Sequence, residues 1–113
     1  MRQRFAQQMK KGALDMLVLK LLEHEEKYGY QLIGELRERS GGTVSLKEGT
    51  LYPILYRMED NGLVASRLAA KTAKEPARKY YAITELGREA LGEMYAVWNE
   101  FDGCVRSIME EER

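Results

Sequence analysis

The chain has 113 residues, of which 44% are apolar and 32% charged, and its formal net charge is zero. This length and composition predict one domain with a modest core and little protein left for a deep enzyme cleft. The longest apolar run, Met16 to Leu22, is broken by Lys20, which excludes a span of ~20 apolar residues, and the amino terminus lacks the apolar run of a secretory signal, so a cytoplasmic location is expected. One cysteine and one histidine lack the parts of a structural zinc site or a nucleophilic triad, so we expect no metal, no cofactor and no enzyme activity.

The first two predicted elements are helices. Apolar residues with the spacing of one helix face indicate a first helix that packs on a core, and they are Leu14, Leu17, Val18, Leu21 and Leu22. The polar stretch Glu23–Lys27 is predicted to be an exposed connection. A second periodic run begins at residues 28–30 and stops at residues 40–42, where two glycines can adopt the left-handed conformation that ends a helix.

A third helix is predicted after this turn, because Leu51, Leu55 and Met58 have the spacing of one helix face. Ser45 precedes Glu48 by three residues, which is the spacing of a capping box at a helix start. Pro53 is tolerated because it falls near the first turn, where few helical donors are lost. Asn61 and Gly62 end the helix.

Two short strands with a long loop between them predict a hairpin over residues 63–84. The strands are residues 63–68 and 79–84, and the loop is rich in lysine and alanine. Tyr80 and Tyr81 alternate along the second strand, so one of them is expected in the core and the other on the outward face of the hairpin.

A long terminal helix begins at Thr84, which suits the amino-cap position. Its apolar residues repeat with the narrow seam spacing of paired helices, and they are Leu91, Met94, Trp98, Phe101, Val105 and Ile108. The first helix could cover such a seam, but a 113-residue chain cannot easily cover the whole of a terminal helix of about 28 residues, roughly 40 Å long. We therefore predict a homodimer with this seam as its interface, and a buried position for the single cysteine, Cys104.

Charge is unevenly distributed along the chain. Residues 1–20 carry a net charge of +4, residues 21–66 of −3, residues 67–84 of +4 and residues 85–113 of −5. Local fields rather than the total decide binding to nucleic acid. The neutral sum therefore leaves a DNA-binding role open.

Three helices followed by a hairpin with a basic tip are the elements of a winged helix-turn-helix, so the predicted fold is mainly α with a small β-hairpin and a long C-terminal dimerisation helix. In such a module the amino end of the third helix enters the major groove and the wing lies beside it. The predicted DNA-binding residues at the helix are Ser45, Lys47, Glu48, Gly49, Thr50, Tyr52, Pro53 and Arg57. Those of the wing are Lys71, Lys74, Arg78 and Lys79, which attract phosphates. Residues 1–84 are the predicted DNA-binding domain and residues 85–113 the dimerisation helix.

Four segments of the chain resemble the PadR family of bacterial transcriptional regulators. They are residues 12–22, residues 28–30, residues 48–53 with Arg57 and residues 59–62, and residues 78–81 running into residues 84–87. The resemblance implies a dimeric winged-helix protein, usually a repressor, that binds a double-stranded DNA operator and pairs through its first and last helices. The single helix after the wing is similar to the smaller subgroup, which includes regulators of multidrug transporters.

The resemblance also implies a ligand site. In multidrug-responsive relatives a tryptophan of the terminal helix and its two-fold mate frame a pore for flat compounds. The residues at matching positions are Asp15, Met16, Tyr95, Trp98 and Asp102. These imply an aromatic or cationic effector and a ligand-responsive repressor of a transporter or detoxification gene. The alternative is that Trp98 packs in the seam and that no small ligand binds.

Two further alternatives remain open from the residues alone. A winged helix can act as a protein-interaction module that docks a partner through its hairpin and never touches DNA. Arg57 can contact DNA, or it can pair with Glu59 or Asp60 on the surface of its own helix.

Overall fold

The computed structural model describes residues 1–111 and contains four helices and one three-stranded antiparallel sheet. The helices are α1 (Arg2–Leu21), α2 (Gly29–Arg39), α3 (Glu48–Asp60) and α4 (Glu85–Met109). The strands are β1 (Lys27–Tyr28), β2 (Val64–Ala69) and β3 (Arg78–Ile83). Glu112 and Arg113, the last residues of the predicted segment 85–113, lie outside the described part. The predicted fold class is confirmed, with a third strand added to the hairpin.

The core lies where α1, α2, α3 and the sheet meet. Its largest fully buried side chains are Val18, Leu19, Leu22, Leu32, Leu51, Leu55, Met58 and Tyr81. Three of them belong to α3 and have the helical spacing predicted for its apolar face. Each fully buried side chain of this size contributes about 2 kcal/mol by leaving water, so this face holds α3 against the body.

The start of α4 follows the sequence prediction, whereas the start of α3 does not. Thr84 caps α4, and its hydroxyl oxygen accepts a hydrogen bond from the Gly87 amide at 3.0 Å. At α3 the cap residue is Lys47, no side chain makes a capping bond, and Glu48 is already helical. The capping box predicted from Ser45 and Glu48 is therefore wrong, because Ser45 lies two residues before the cap.

The sheet has β3 in the centre, with β1 on one edge and β2 on the other. β2 pairs with β3 over six residues, and β1 adds Tyr28 opposite Tyr80. The rings of Tyr28 and Tyr80 meet edge to face with centroids 5.5 Å apart. Tyr80 is 4% exposed and Tyr81 is fully buried. The prediction that only one of the two tyrosines lies inside is therefore wrong, because the side chains of Tyr28 and Lys71 cover the Tyr80 ring on the second face of the sheet.

Lys27, the first residue of β1, is also buried, although the sequence placed it in an exposed connection. Its amine donates a hydrogen bond to the carboxylate of Glu35 in α2 at 2.6 Å. Because a buried charge is tolerated only when it is paired, this contact allows the connection to turn into a strand.

The two ends of α4 have different surroundings. Leu91 is buried and Met94 packs against the core. Further along, the seam residues are 40–68% exposed, and they are Trp98, Phe101, Val105 and Ile108. Cys104 is exposed as well, so the buried position predicted for it is wrong for the single protomer. Of the helices within residues 1–111, none is long and apolar enough to cross a membrane.

Candidate nucleic-acid interface

One face of α3 points away from the core. The residues on this face are Gly49, Pro53, Tyr56 and Asp60, which follow each other at helical spacing opposite the buried leucines. Gly49 and Pro53 belong to the predicted DNA-binding set. Tyr56 was not predicted to bind DNA, although its side chain is 50% exposed and it lies seven residues after Gly49. That spacing of two helical turns is the signal that could have identified it.

The amino end of α3 is open to an anion. Lys47, Glu48, Gly49 and Thr50 are exposed there, and within the described chain no side chain caps this end. The first helical amides and the positive end of the helix dipole therefore face solvent. A hydrogen bond from the Tyr30 phenol to the Glu48 carboxylate raises the pKa of Tyr30.

Tyr52 lies on the flank of α3 that faces α2. A Cβ added to Gly29 would come within 2.3 Å of the Tyr52 hydroxyl oxygen, so the glycine at the start of α2 makes room for this ring. Tyr52 is half-buried, and partial burial is the main reason that its pKa is raised. Its ring also packs against Tyr56 with centroids 5.9 Å apart. The predicted DNA contact of Tyr52 is thus limited to the exposed edge of its ring.

The wing presents Lys79 on its α3-facing side. The Lys79 amine is 5.5 Å from the ring centroid of Tyr56 and 5.6 Å from that of Tyr81. These are cation–π distances. Lys79 therefore joins the exposed face of α3 to the wing, and its charge stays accessible because the residue is exposed.

Other basic residues of the wing lie on the opposite side of the sheet and are already engaged. Glu26 accepts hydrogen bonds from Arg67 Nε at 2.9 Å and from the Lys71 amine at 2.6 Å, and these two cations lower the pKa of Glu26 to about 2. Arg78 stacks its guanidinium 4.5 Å from the ring centroid of Tyr28. Lys71 and Arg78, both predicted to bind DNA, thus have contacts within the protomer.

Lys74 and Lys79 differ from Lys71. In the described part of the chain neither of them forms an ion pair, and both are exposed. Lys74 lies in the loop at the wing tip, whereas Lys79 lies beside α3. The wing therefore offers phosphates these two uncompensated lysines in preference to Lys71.

Arg57 lies on the other flank of α3 and contacts α1. Its Nη2 atom donates hydrogen bonds to both carboxylate oxygens of Asp15, at 2.8 and 2.9 Å. Glu59 instead accepts bonds from the Ser66 amide and hydroxyl of β2 at 3.1 and 2.6 Å. Arg57 therefore does not pair with Glu59 or Asp60, and the ion pair with Asp15 fixes α3 against α1.

The five residues implied for ligand binding are only partly brought together in one protomer. Met16 lines two clefts beside the contact of α1 with α4, one of about 490 Å³ with Trp98 and one of about 460 Å³ with Tyr95. Asp15 is engaged by Arg57, and Asp102 accepts a hydrogen bond from Arg106 at 3.1 Å. Met16 therefore shares one cleft with Trp98 and the other with Tyr95.

Similarity to known proteins decides the family. The profile of the transcriptional regulator PadR-like family matches residues 18–93. The chain belongs to the PadR family. A solved PadR-family transcriptional regulator from Eggerthella lenta is 33% identical, with 97% of this chain and 93% of that chain covered and a TM-score of 0.84. A PadR-like regulator from Bacillus cereus is 36% identical over 93% of this chain and 99% of that one, with a TM-score of 0.79.

A curated relative agrees with the solved structures. The transcriptional regulator Rv3488 of Mycobacterium tuberculosis is 36% identical over 86 residues, which are 76% of each chain. This PadR-family chain is therefore a transcriptional regulator. The prediction that it is not an enzyme is confirmed, because the family and its solved members are regulators of transcription.

Proposed function

We propose that this regulator binds a two-fold symmetric DNA operator as a homodimer, with residues 1–84 contacting the DNA and residues 85–113 pairing the protomers. The observation that carries the proposal is the uncapped amino end of α3, next to a wing whose Lys74 and Lys79 are uncompensated. A helix end of this kind attracts phosphate, and a lysine neutralises it. Two such units in a dimer would contact half-sites roughly one helical turn, ~34 Å, apart.

The predicted DNA-binding residues divide into two roles in this proposal. The exposed end of α3 reads bases, through Thr50, Tyr56 and the exposed edge of Tyr52, while Gly49 and Pro53 allow close approach. Lys74 and Lys79 contact phosphates and supply affinity without sequence preference. Arg57 acts indirectly, because its guanidinium is engaged by Asp15 and sets the position of α3.

The dimer is proposed from the seam of α4. Phe101 and Ile108 are 62% and 68% exposed in the protomer, and contiguous apolar surface of this kind marks an interaction site. A second copy of α4 has the same seam, so the two helices can cover each other. Since the resemblance implies the same pairing, a homodimer is the assembly that we infer.

Repression and effector response are the finer parts of the proposal. The resemblance to the PadR family implies repression, so we infer that the regulator is a repressor whose binding to the operator excludes polymerase. The cleft shared by Met16 and Trp98 would take a flat aromatic or cationic compound between protomers, since indole faces stack on planar rings and methionine adapts its shape. The effector would change the distance between the two α3 helices.

The experiment is a titration by fluorescence anisotropy with DNA from upstream of the protein's own gene and with random-sequence DNA, at several salt concentrations. For Lys74→Ala with Lys79→Ala we expect weaker binding to both DNAs and a shallower salt dependence, by about 0.9 in slope for each phosphate that is no longer neutralised. Thr50→Ala should instead change the preference between the two DNAs, by about 1–3 kcal/mol if the threonine hydroxyl bonds to a base edge. Arg88→Ala on α4 is the matched charge control.

Two outcomes would contradict the proposal. If the wild-type protein shows no salt-sensitive binding to either DNA, the alternative of a protein-docking module stands instead. If the lysine and threonine variants weaken binding to both DNAs in the same way, the division into phosphate and base contacts is wrong.

A further inference from the structure

A polar cleft of about 490 Å³ lies between the amino-terminal half of α1 and the turn that joins α2 to α3. It reaches Thr50 on the flank of α3 away from the wing. Its lysine and hydroxyl side chains are Lys10, Lys11, Thr43, Ser45 and Thr50, and none of the lining residues is acidic. Ammonium and hydroxyl groups without a neighbouring carboxylate suit an anion.

The two lysines of this cleft are placed by α1. The Lys10 amine donates a hydrogen bond to the backbone carbonyl of Thr43 at 2.5 Å, so α1 is attached to the turn before α3. Lys11 is exposed and makes no ion pair with any residue in 1–111. Because residues 1–20 carry a net charge of +4, the field around the cleft is positive.

The cleft opens on a face of α1 other than the face that borders α4. Met9, Ala13 and Met16 line the cleft beside α4, whereas Lys10 and Leu14 line the polar cleft. These two sets lie on different faces of α1, about 100° apart around the helix axis, which is the turn between consecutive residues. Pairing through α4 therefore leaves the polar cleft open.

The dimensions of the DNA major groove connect this cleft to the proposed function. A helix about 10–12 Å across fills a groove about 12 Å wide, and each side of the groove is bounded by a sugar–phosphate strand. The wing lies at one flank of α3 through Lys79, and the polar cleft lies at the other flank through Thr50. The strand that the wing does not meet therefore comes to the cleft.

We propose that Lys10 and Lys11, with the hydroxyl groups of Thr43 and Ser45, bind a backbone phosphate of the DNA strand opposite the wing. This assignment rests on the proposed DNA-binding function and extends it to α1. The regulator then holds both strands at each half-site, one by the wing and one by α1. The contacts are sequence-independent, because they are made to phosphate.

The test measures the slope of log affinity against log salt for Lys11→Ala and Lys10→Ala on operator-containing and random-sequence DNA. Each variant should weaken binding to both DNAs and lower the slope by about 0.9 for each phosphate that the lysine neutralises, roughly 2 for a symmetric dimer. Lys20→Ala is the matched control, because it removes the same charge from the same helix at a lysine that pairs with Glu23. Its slope should equal that of the wild type.

A merely structural role of these lysines gives a different result. Lys11 makes no hydrogen bond to the turn, so Lys11→Ala should leave the thermal unfolding midpoint unchanged while the slope falls. Lys10→Arg should restore the slope. If the wild type binds DNA in a salt-sensitive way but Lys10→Ala and Lys11→Ala have the slope of Lys20→Ala, this inference is overturned and the proposed function survives. If the wild type binds no DNA, both fail.

A third arm separates DNA phosphate from free phosphate. Inorganic phosphate is titrated at constant ionic strength, and the amide chemical shifts of Thr43 and Ser45 are followed. We expect no saturation at millimolar phosphate. Saturation there, together with unchanged DNA slopes in the lysine variants, would reassign the cleft to a free anion.

Discussion

The body of the molecule, which is formed by α1, α2, α3 and the sheet, and the distal half of α4 both carry apolar residues at helical spacing. These residues are buried in the body and exposed in distal α4. In the body, Leu51 and Leu55 of α3 are fully buried, and the ion pair of Arg57 with Asp15 joins segments 42 residues apart. In distal α4, Phe101 and Ile108 are exposed, and the ion pair there joins residues four apart on one helix. Apolar residues that the chain covers by itself specify the protomer, and those it leaves uncovered form the surface through which we propose that it assembles.

The largest expected effect is on dimer affinity, and it comes from a substitution in the seam of distal α4 that leaves the body unchanged. Phe101→Glu places a charge where we propose that the second copy of α4 packs, and burying an unpaired charge costs several kcal/mol. We expect at least about a 100-fold weaker dimer, measured by sedimentation equilibrium, with the helix content of the body unchanged. Ser107→Glu adds the same charge on the opposite side of α4 and should leave the dimer intact. A Phe101→Glu protein that remains a dimer would show that the seam is not the interface.

A smaller effect compares two glycines of α4. A Cβ at Gly87 would lie 2.1 Å from the Leu63 carbonyl oxygen and 2.8 Å from Ile83 Cγ1, whereas at Gly103 it would meet nothing within 4 Å in the described chain. Gly87→Ala should therefore lower the free energy of unfolding by about 2–3 kcal/mol. Gly103→Ala should raise it by up to about 1 kcal/mol, because alanine favours a helix. Urea unfolding measures both, and equal effects would contradict the difference between the two regions.

The smallest effect concerns a single hydroxyl in the body. Burial raises the pKa of Tyr81 to about 12 from its usual 10, and within residues 1–111 its hydroxyl has no hydrogen-bond partner. Because an unsatisfied buried polar group is costly, Tyr81→Phe should raise the free energy of unfolding by about 1 kcal/mol at neutral pH.

The pH dependence of the same variant sharpens this expectation. A raised pKa means that the folded state favours the neutral phenol of Tyr81. The contribution of this preference to the free energy of unfolding is therefore complete below pH 10 and is lost as the pH rises towards 12. The wild type should lose stability over this range more steeply than Tyr81→Phe. Tyr95→Phe is the control, since Tyr95 is exposed. Identical alkaline profiles for wild type and Tyr81→Phe would contradict the buried phenol.

Local spacing explains how much of the fold could be predicted. The apolar face of α3 and the cap at Thr84 depend on residues within two turns of one another, and both were predicted. The strand β1 was missed because it has two residues, and its pairing with β3 lies some fifty residues away. Burial of Tyr80 was missed for the same reason, since its cover is Tyr28 from β1.

For the candidate site too, features set by nearby residues could be predicted, whereas contacts between distant segments could not. The exposed amino end of α3 could be predicted from element order, and Tyr56 could have been found from its spacing to Gly49. The ion pairs could not, because Arg57 with Asp15 and Lys71 with Glu26 join distant segments. Which wing lysines keep their charge available is therefore decided by tertiary contacts and not by composition.

The ion pairs of Glu26 with Arg67 and Lys71 of the wing have a thermodynamic consequence. In the protomer without nucleic acid, Arg67 and Lys71 already hold the hairpin to the connection before β1. Less conformational entropy then remains to be lost when the hairpin meets a duplex, so affinity is gained by preorganisation without any added contact. A carboxylate that never approaches the polyanion would in this way strengthen the complex.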